Sequence, residues 1–142
     1  MESVLGYLPQ EIRVVILDFI SRENCEIEEI RLRTGKPLGL KIGQVTKSLD
    51  YIVKQQEVLQ AFEKICENSV YSYRKQICDG YITIKGGHRV GIVGSAVLED
   101  NKVININYIS SLNFRIARQK IGCSDEIIKD IISNNEIYNT LI

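Results

Sequence analysis

The sequence predicts an α+β domain: a mixed or antiparallel sheet with helices packed mainly on one face. Three observations carry this reading. An apolar stripe at helical spacing runs near the start, with Leu8, Ile12, Val15, Ile16, Phe19 and Ile20 on one face. Period-two alternation follows: Ile30 and Leu32 stand between Glu29, Arg31 and Arg33, and Leu112, Phe114 and Ile116 between Asn113, Arg115 and Ala117. Turn residues, such as Thr34-Gly35-Lys36-Pro37 and Glu99-Asp100-Asn101-Lys102, punctuate the alternating runs, and the connections are short, as in a single domain.

The elements can be placed in order. Pro9 suits the first position of a helix, and Glu11 sits at the positive end of its dipole. A hairpin is expected from Glu29 to Ile42 around the Thr34–Pro37 turn, with a third strand from Leu49 to Val53. Gln55 to Asn68 reads as a helix with Val58, Phe62, Ile65 and Cys66 inward. A second helical piece from Val70 to Cys78 is stopped by Gly80. Strands are expected at Tyr81–Ile84, Arg89–Leu98, Val103–Ile109 and Leu112–Ala117. Gly91 and Gly94 weaken the second of these and suggest a bulge or a close backbone approach. A last helix starts near Ser124 and is expected to bury Ile127, Ile128, Ile131 and Ile132, and Asn139–Ile142 reads as the opening of another strand.

Composition bounds the function. The chain has 142 residues, 44% apolar and 25% charged, enough for one core. Lys plus Arg equals Asp plus Glu at 18 each, which argues against a dedicated nucleic-acid-binding domain. No apolar run is long enough to cross a bilayer, and Met1-Glu2-Ser3 is acidic where a signal peptide is basic. Cys25, Cys66, Cys78 and Cys123 form no CxxC pair and His88 is the single histidine, so no zinc site is expected, and reduced thiols in a cytoplasm are the simple reading.

Motifs for a complete catalytic site are missing. No GxxxxGK[ST] loop occurs, and Gly35-Lys36-Pro37 is a hairpin turn, because proline removes an N–H that phosphate would need. Gly91-Ile92-Val93-Gly94 matches a KH-type GxxG but lies in a β-rich run rather than between helices. His88 has no Ser or Cys nucleophile placed with an orienting partner. The arginines Arg31, Arg33, Arg89, Arg115 and Arg118 gather on or beside strands. From spacing alone a solvated sheet face with surface ion pairs, for instance to Glu29, is the favoured reading, and a positive surface that meets phosphate is the functional alternative.

Several stretches resemble the stage III sporulation protein AA family. They are Glu28-Glu29-Ile30-Arg31-Leu32-Arg33-Thr34-Gly35-Lys36-Pro37, then Gly80-Tyr81-Ile82-Thr83-Ile84 with Gly86-Gly87-His88-Arg89-Val90-Gly91. Ile109 to Arg118 (ISSLNFRIAR) with Gly122-Cys123 follows, in the family's order. The resemblance spans about Glu28 to Ile142. It implies a fold similar to the amino-terminal domain of secretion ATPases, with residues 1–136 forming that domain. Residues 137–142 would then begin the first strand of a RecA-like ATPase domain that continues beyond Ile142.

The resemblance further implies a cytoplasmic, homo-hexameric ATPase on the mother-cell side of the sporulation channel complex, with membrane proteins as partners but no membrane insertion of its own. ATP and magnesium would belong to the full-length protein, whose carboxy-terminal ATPase domain would partner this one. By the same resemblance Arg89, Arg115 and Arg118 are the candidates for contact with nucleotide phosphates. Two other readings stay open: a nucleic-acid-binding module stacking bases on Tyr71, Tyr73 and Tyr81, and a structural ring adaptor whose arginines make subunit contacts.

Overall fold

A computed structural model describes residues 2–118, 121–133 and 136–137. Two helices come first, α1 (Glu2–Leu5) and α2 (Gln10–Glu23), followed by strands β1 (Glu29–Arg33), β2 (Pro37–Ile42) and β3 (Val45–Ile52). Helix α3 (Gln55–Ile65), a 3-10 turn (Val70–Tyr73) and α4 (Arg74–Cys78) lead to β4 (Tyr81–Ile84), β5 (His88–Glu99) and β6 (Lys102–Arg115). Helix α5 (Asp125–Ile131) and the short strands β7 (Ile132–Ser133) and β8 (Glu136–Ile137) close the described chain. The main sheet is six-stranded in the order β3-β2-β1-β6-β5-β4, and every neighbouring pair is antiparallel.

Alternation decides which face is covered. Register places Leu40, Ile30, Phe114, Val90 and Ile82 in one row across β2, β1, β6, β5 and β4, and all five are buried. Ile12 and Ile16 of α2, Val58 and Phe62 of α3 and Ile77 of α4 share that core. The α+β expectation with helices on one face therefore stands. Burying a side chain of this size stabilises by about 1.5–3 kcal/mol, so this face sets the register of the sheet.

The structure also moves several expected boundaries. Helix α2 starts one residue later than expected: Pro9 is its cap, and the Pro9 carbonyl accepts from the Arg13 N–H at 3.0 Å. Strand β3 begins at Val45 rather than Leu49, because Gly43, at φ 56°, turns the chain back at once. Helix α3 stops at Ile65 rather than Asn68, because Glu67 and Asn68 take left-handed φ values of 50° and 60°. At its start, Glu57 accepts from the Lys54 N–H at 2.7 Å and also from the Tyr51 hydroxyl. The two strands expected over 103–109 and 112–117 are the single strand β6, since Ser111 pairs with both Arg33 and Val93.

Gly94 explains the interruption in β5. Its own Cβ, were there one, would lie 2.5 Å from the Asn107 carbonyl oxygen and 2.8 Å from Ile106 Cγ2. The β5–β6 register shifts here, between Val93 and Ser95, and Tyr108 opposite takes a φ of 49°. Gly91 is different: a Cβ there would meet Asn113 at an ordinary 3.8 Å, so close approach does not demand this glycine.

The expected burial of α5 is overturned. Ile127, Ile128 and Ile132 are 46%, 44% and 44% exposed, and no residue of the helix is buried. Its isoleucines have helical spacing, yet nothing described in this chain covers them. Ile137, in β8, pairs with Ile132, while residues 138–142 of the strand expected over 137–142 lie outside the described residues.

Gly94→Ala is expected to lower unfolding stability by about 1–3 kcal/mol through overpacking, whereas Gly91→Ala stays within about 1 kcal/mol of the parent. Urea denaturation of the two variants checks the contrast.

Candidate functional site

The uncovered face of the main sheet carries the polar partners of the core rows. Across β2, β1, β6, β5 and β4, one row reads Lys41, Glu29, Arg115, Arg89 and Thr83. The next reads Gly39, Arg31, Asn113, Gly91 and Tyr81. Two of the three arginines singled out in the sequence, Arg89 and Arg115, are thus direct cross-strand partners, and both are exposed. Cβ atoms of such partners sit about 4.5–5.5 Å apart, and like charges so placed destabilise the pair.

Neither guanidinium is ion-paired or hydrogen-bonded to another side chain among the described residues. Arg89 instead stacks on Tyr81, its Cζ 3.5 Å from the ring centroid. Gly80, Tyr81, Arg89, Gly91, Asn113 and Arg115 line an open pocket of about 270 Å³. Its floor is low because Gly91, between Tyr81 and Asn113, carries no side chain. The Asn113 Oδ1 atom is buried and lacks a hydrogen-bond partner among the described residues.

Beside Arg115 lies a carboxylate that sequence reasoning treated only as a possible surface partner. Glu29 is 9% exposed and accepts from Arg31 Nε at 2.6 Å. Burial pushes its carboxyl up, but hydrogen bonds from Arg31 and Asn113 and the charges of Arg31 and Arg115 outweigh that and hold it below the ordinary carboxylate value. The carboxylate is therefore ionised and already engaged by Arg31. Arg115 retains donors for something else.

Arg118 is placed differently. It lies beyond the end of β6 and pairs with Glu26 at 2.9 Å and Glu28 at 3.8 Å. With Cys25, Ile27 and Ile116 it borders a second opening of about 380 Å³, away from the Arg89–Arg115 pocket. No group of three or more His, Cys, Asp or Glu that could hold a metal ion is found among the described residues, and no helix there is long and apolar enough to cross a membrane.

His88, next to Arg89, is a structural residue. It is 5% exposed, accepts from the Ala117 N–H through Nδ1 at 2.9 Å, and lies 2.9 Å from Ser3 Oγ through Nε2. Since Nδ1 is an acceptor, the ring proton is on Nε2 and is donated to Ser3. One imidazole thus ties α1 and the segment after β6 to the start of β5. Neither periodicity nor motif could reveal this contact, which spans 85 positions of sequence on one side.

The whole chain, residues 1–142, matches the family model described as Sporulation stage III, protein AA. This chain belongs to that family. It is 30% identical over 142 residues to Stage III sporulation protein AA of Bacillus subtilis (strain 168), covering 100% of this chain and 46% of that protein. The chain thus spans about half the length of this curated relative. Among solved structures, the pilus retraction motor PilT with bound ADP is similar at a TM-score of 0.44 and 16% identity, over 78% of this chain and 31% of PilT. The Legionella pneumophila ATPase DotB is similar at a TM-score of 0.41 and 15% identity, over 83% of this chain and 34% of DotB. At that distance neither likeness bears on function.

Burial holds the folded His88 below its ordinary value of 6.5, by disfavouring the cation. Between the two values the unfolded chain binds the extra proton. Its contribution to stability is therefore whole above 6.5 and is lost as pH falls from 6.5 through the folded value. Unfolding followed by circular dichroism across that window should show the parent losing stability, and His88→Gln losing less.

Proposed function

We propose that this chain is the amino-terminal accessory domain of a larger sporulation ATPase, and that Arg89 and Arg115 meet the terminal phosphates of its nucleotide. The supporting observation is the pair itself. Arg89 and Arg115 are direct cross-strand partners bordering one pocket on an open sheet surface; neither makes an ion pair among the described residues, and Glu29, the β1 partner of Arg115, is already engaged by Arg31. Such a pair costs stability unless an anion bridges it. A phosphoryl group does so well, because guanidinium forks onto two oxygens and stays charged at any working pH. Family membership and the relative's additional length support the rest of the reading: a longer protein whose other half would hold ATP and magnesium.

In this reading the P-loop domain grips the nucleotide, and closure of this domain brings the two arginines to the transferring phosphoryl group. Charge that develops on its oxygens in the transition state then meets fixed positive partners. Alternate closure around a homo-hexameric ring would convert turnover into movement. That movement would act on membrane proteins of the mother cell–forespore channel complex from the cytoplasmic side. Arg118 is the weaker phosphate candidate, since Glu26 and Glu28 already hold it and would have to release it.

Arg89→Ala or Arg115→Ala in the full-length protein should cut ATP turnover by about 10²-fold or more while changing ATP affinity only several-fold. Arg118→Ala should do less. Steady-state hydrolysis with nucleotide-binding titrations checks this, and unchanged turnover in both of the first two variants removes the reading.

A further inference from the structure

We infer that Tyr81 is the positioning residue of this surface: its ring, on β4, holds the Arg89 guanidinium at the pocket that Arg115 borders from β6. The inference rests on the phosphate role proposed for Arg89 and deepens it.

An arginine on an exposed strand has several rotatable bonds, and beside a second arginine it gains by swinging away into solvent. Something must counter that tendency if both charges are to remain at one pocket. Thr83 is the direct β4 partner of Arg89, and its short side chain leaves the guanidinium free. Tyr81 is the diagonal partner, two residues back on the same face, and its ring reaches under Arg89 to put Cζ 3.5 Å from the centroid. Diagonal positions on one face lie about 7–8 Å apart at their backbones, within reach of an aromatic ring and a long side chain.

The neighbouring residue makes room for this. Gly91 is the direct partner of Tyr81, and a side chain there would stand on the same face between Tyr81 and Asn113. A Cβ at Gly91 meets nothing closer than 3.8 Å, so the fold would accept one. What glycine preserves is the open pocket bounded by Tyr81, Arg89, Asn113 and Arg115. Stacking leaves the edge of the planar guanidinium, where its N–H groups point, free to meet oxygen. Tyr81 accordingly orients the donor without touching the ligand, and the ring rather than the hydroxyl does it.

The test is a double-mutant cycle on ATP turnover by the full-length protein, using Tyr81→Leu, Tyr81→Phe and Arg89→Ala. Tyr81→Leu should lower kcat about tenfold with little change in KM, as expected for losing one well-placed cation–π contact. Tyr81→Phe should stay within about twofold of the parent, because the ring face is retained. In the Arg89→Ala background Tyr81→Leu should have no further effect. An equal loss from Tyr81→Leu in both backgrounds would show a merely structural role and overturn the inference. A full effect of Arg89→Ala with none of Tyr81→Leu would overturn it while leaving the phosphate reading intact. No effect of Arg89→Ala would remove the part of Arg89 in that reading, and this inference with it, while Arg115→Ala separately tests the rest of the reading.

Discussion

The register between β5 and β6 is the constraint on which the rest depends. On the covered face it sets Val90 against Phe114 and Ile92 against Leu112, all of them buried. On the open face the same register sets Arg89 against Arg115. A slip by one residue would bring the arginines inward and turn the core side chains out. Burial of these apolar groups contributes about 1.5–3 kcal/mol each, while like charges directly opposite on the other face destabilise by no more than the order of a single cross-strand pair, ~1 kcal/mol. Packing wins, and it locks two like charges together on a surface where neither would choose the other.

The ends of the pair of strands are controlled separately. Beyond Val93 the ladder shifts at Gly94 and Tyr108, and the two strands run on as a longer hairpin whose tip turns through Asp100 and Asn101 at φ 48° and 60°. Leu98 and Tyr108 on this extension are 62% and 84% exposed. At the opposite end His88 connects α1, β5 and the segment that leaves β6. The arginine pair thus sits between a shifted, exposed hairpin and a buried imidazole tie, close to the tie. Changes in how the chain leaves Ala117 would reach Arg89 through one side chain.

Much of this was legible in the residues. The alternation of Glu29–Arg33 and Leu38–Ile42 predicts the β1–β2 hairpin, the stripe from Leu8 to Ile20 predicts α2, and the ordered motifs point to the right family. Alternation also puts Arg31, Arg33 and Arg115 opposite the apolar residues, as observed. Periodicity assigns a face but names no partner, so it could not tell that Arg89 and Arg115 are neighbours while Arg118 turns to Glu26. It could not see Tyr81 beneath Arg89, nor His88 joined to Ser3. The isoleucines of α5 show the converse failure: a helical apolar face signals the need for a partner, not that the partner lies within the same described chain.

The central claim is that the Arg89–Arg115 pair is held together against its own repulsion and is relieved by a phosphoryl anion. Urea unfolding of the parent, Arg89→Gln, Arg115→Gln and the double variant, at low salt and with added inorganic phosphate, measures that coupling directly. The account predicts an unfavourable interaction between the two arginines of about 0.2–1 kcal/mol at low salt, shrinking or changing sign as phosphate is added. A favourable or absent coupling at low salt, indifferent to phosphate, would contradict it.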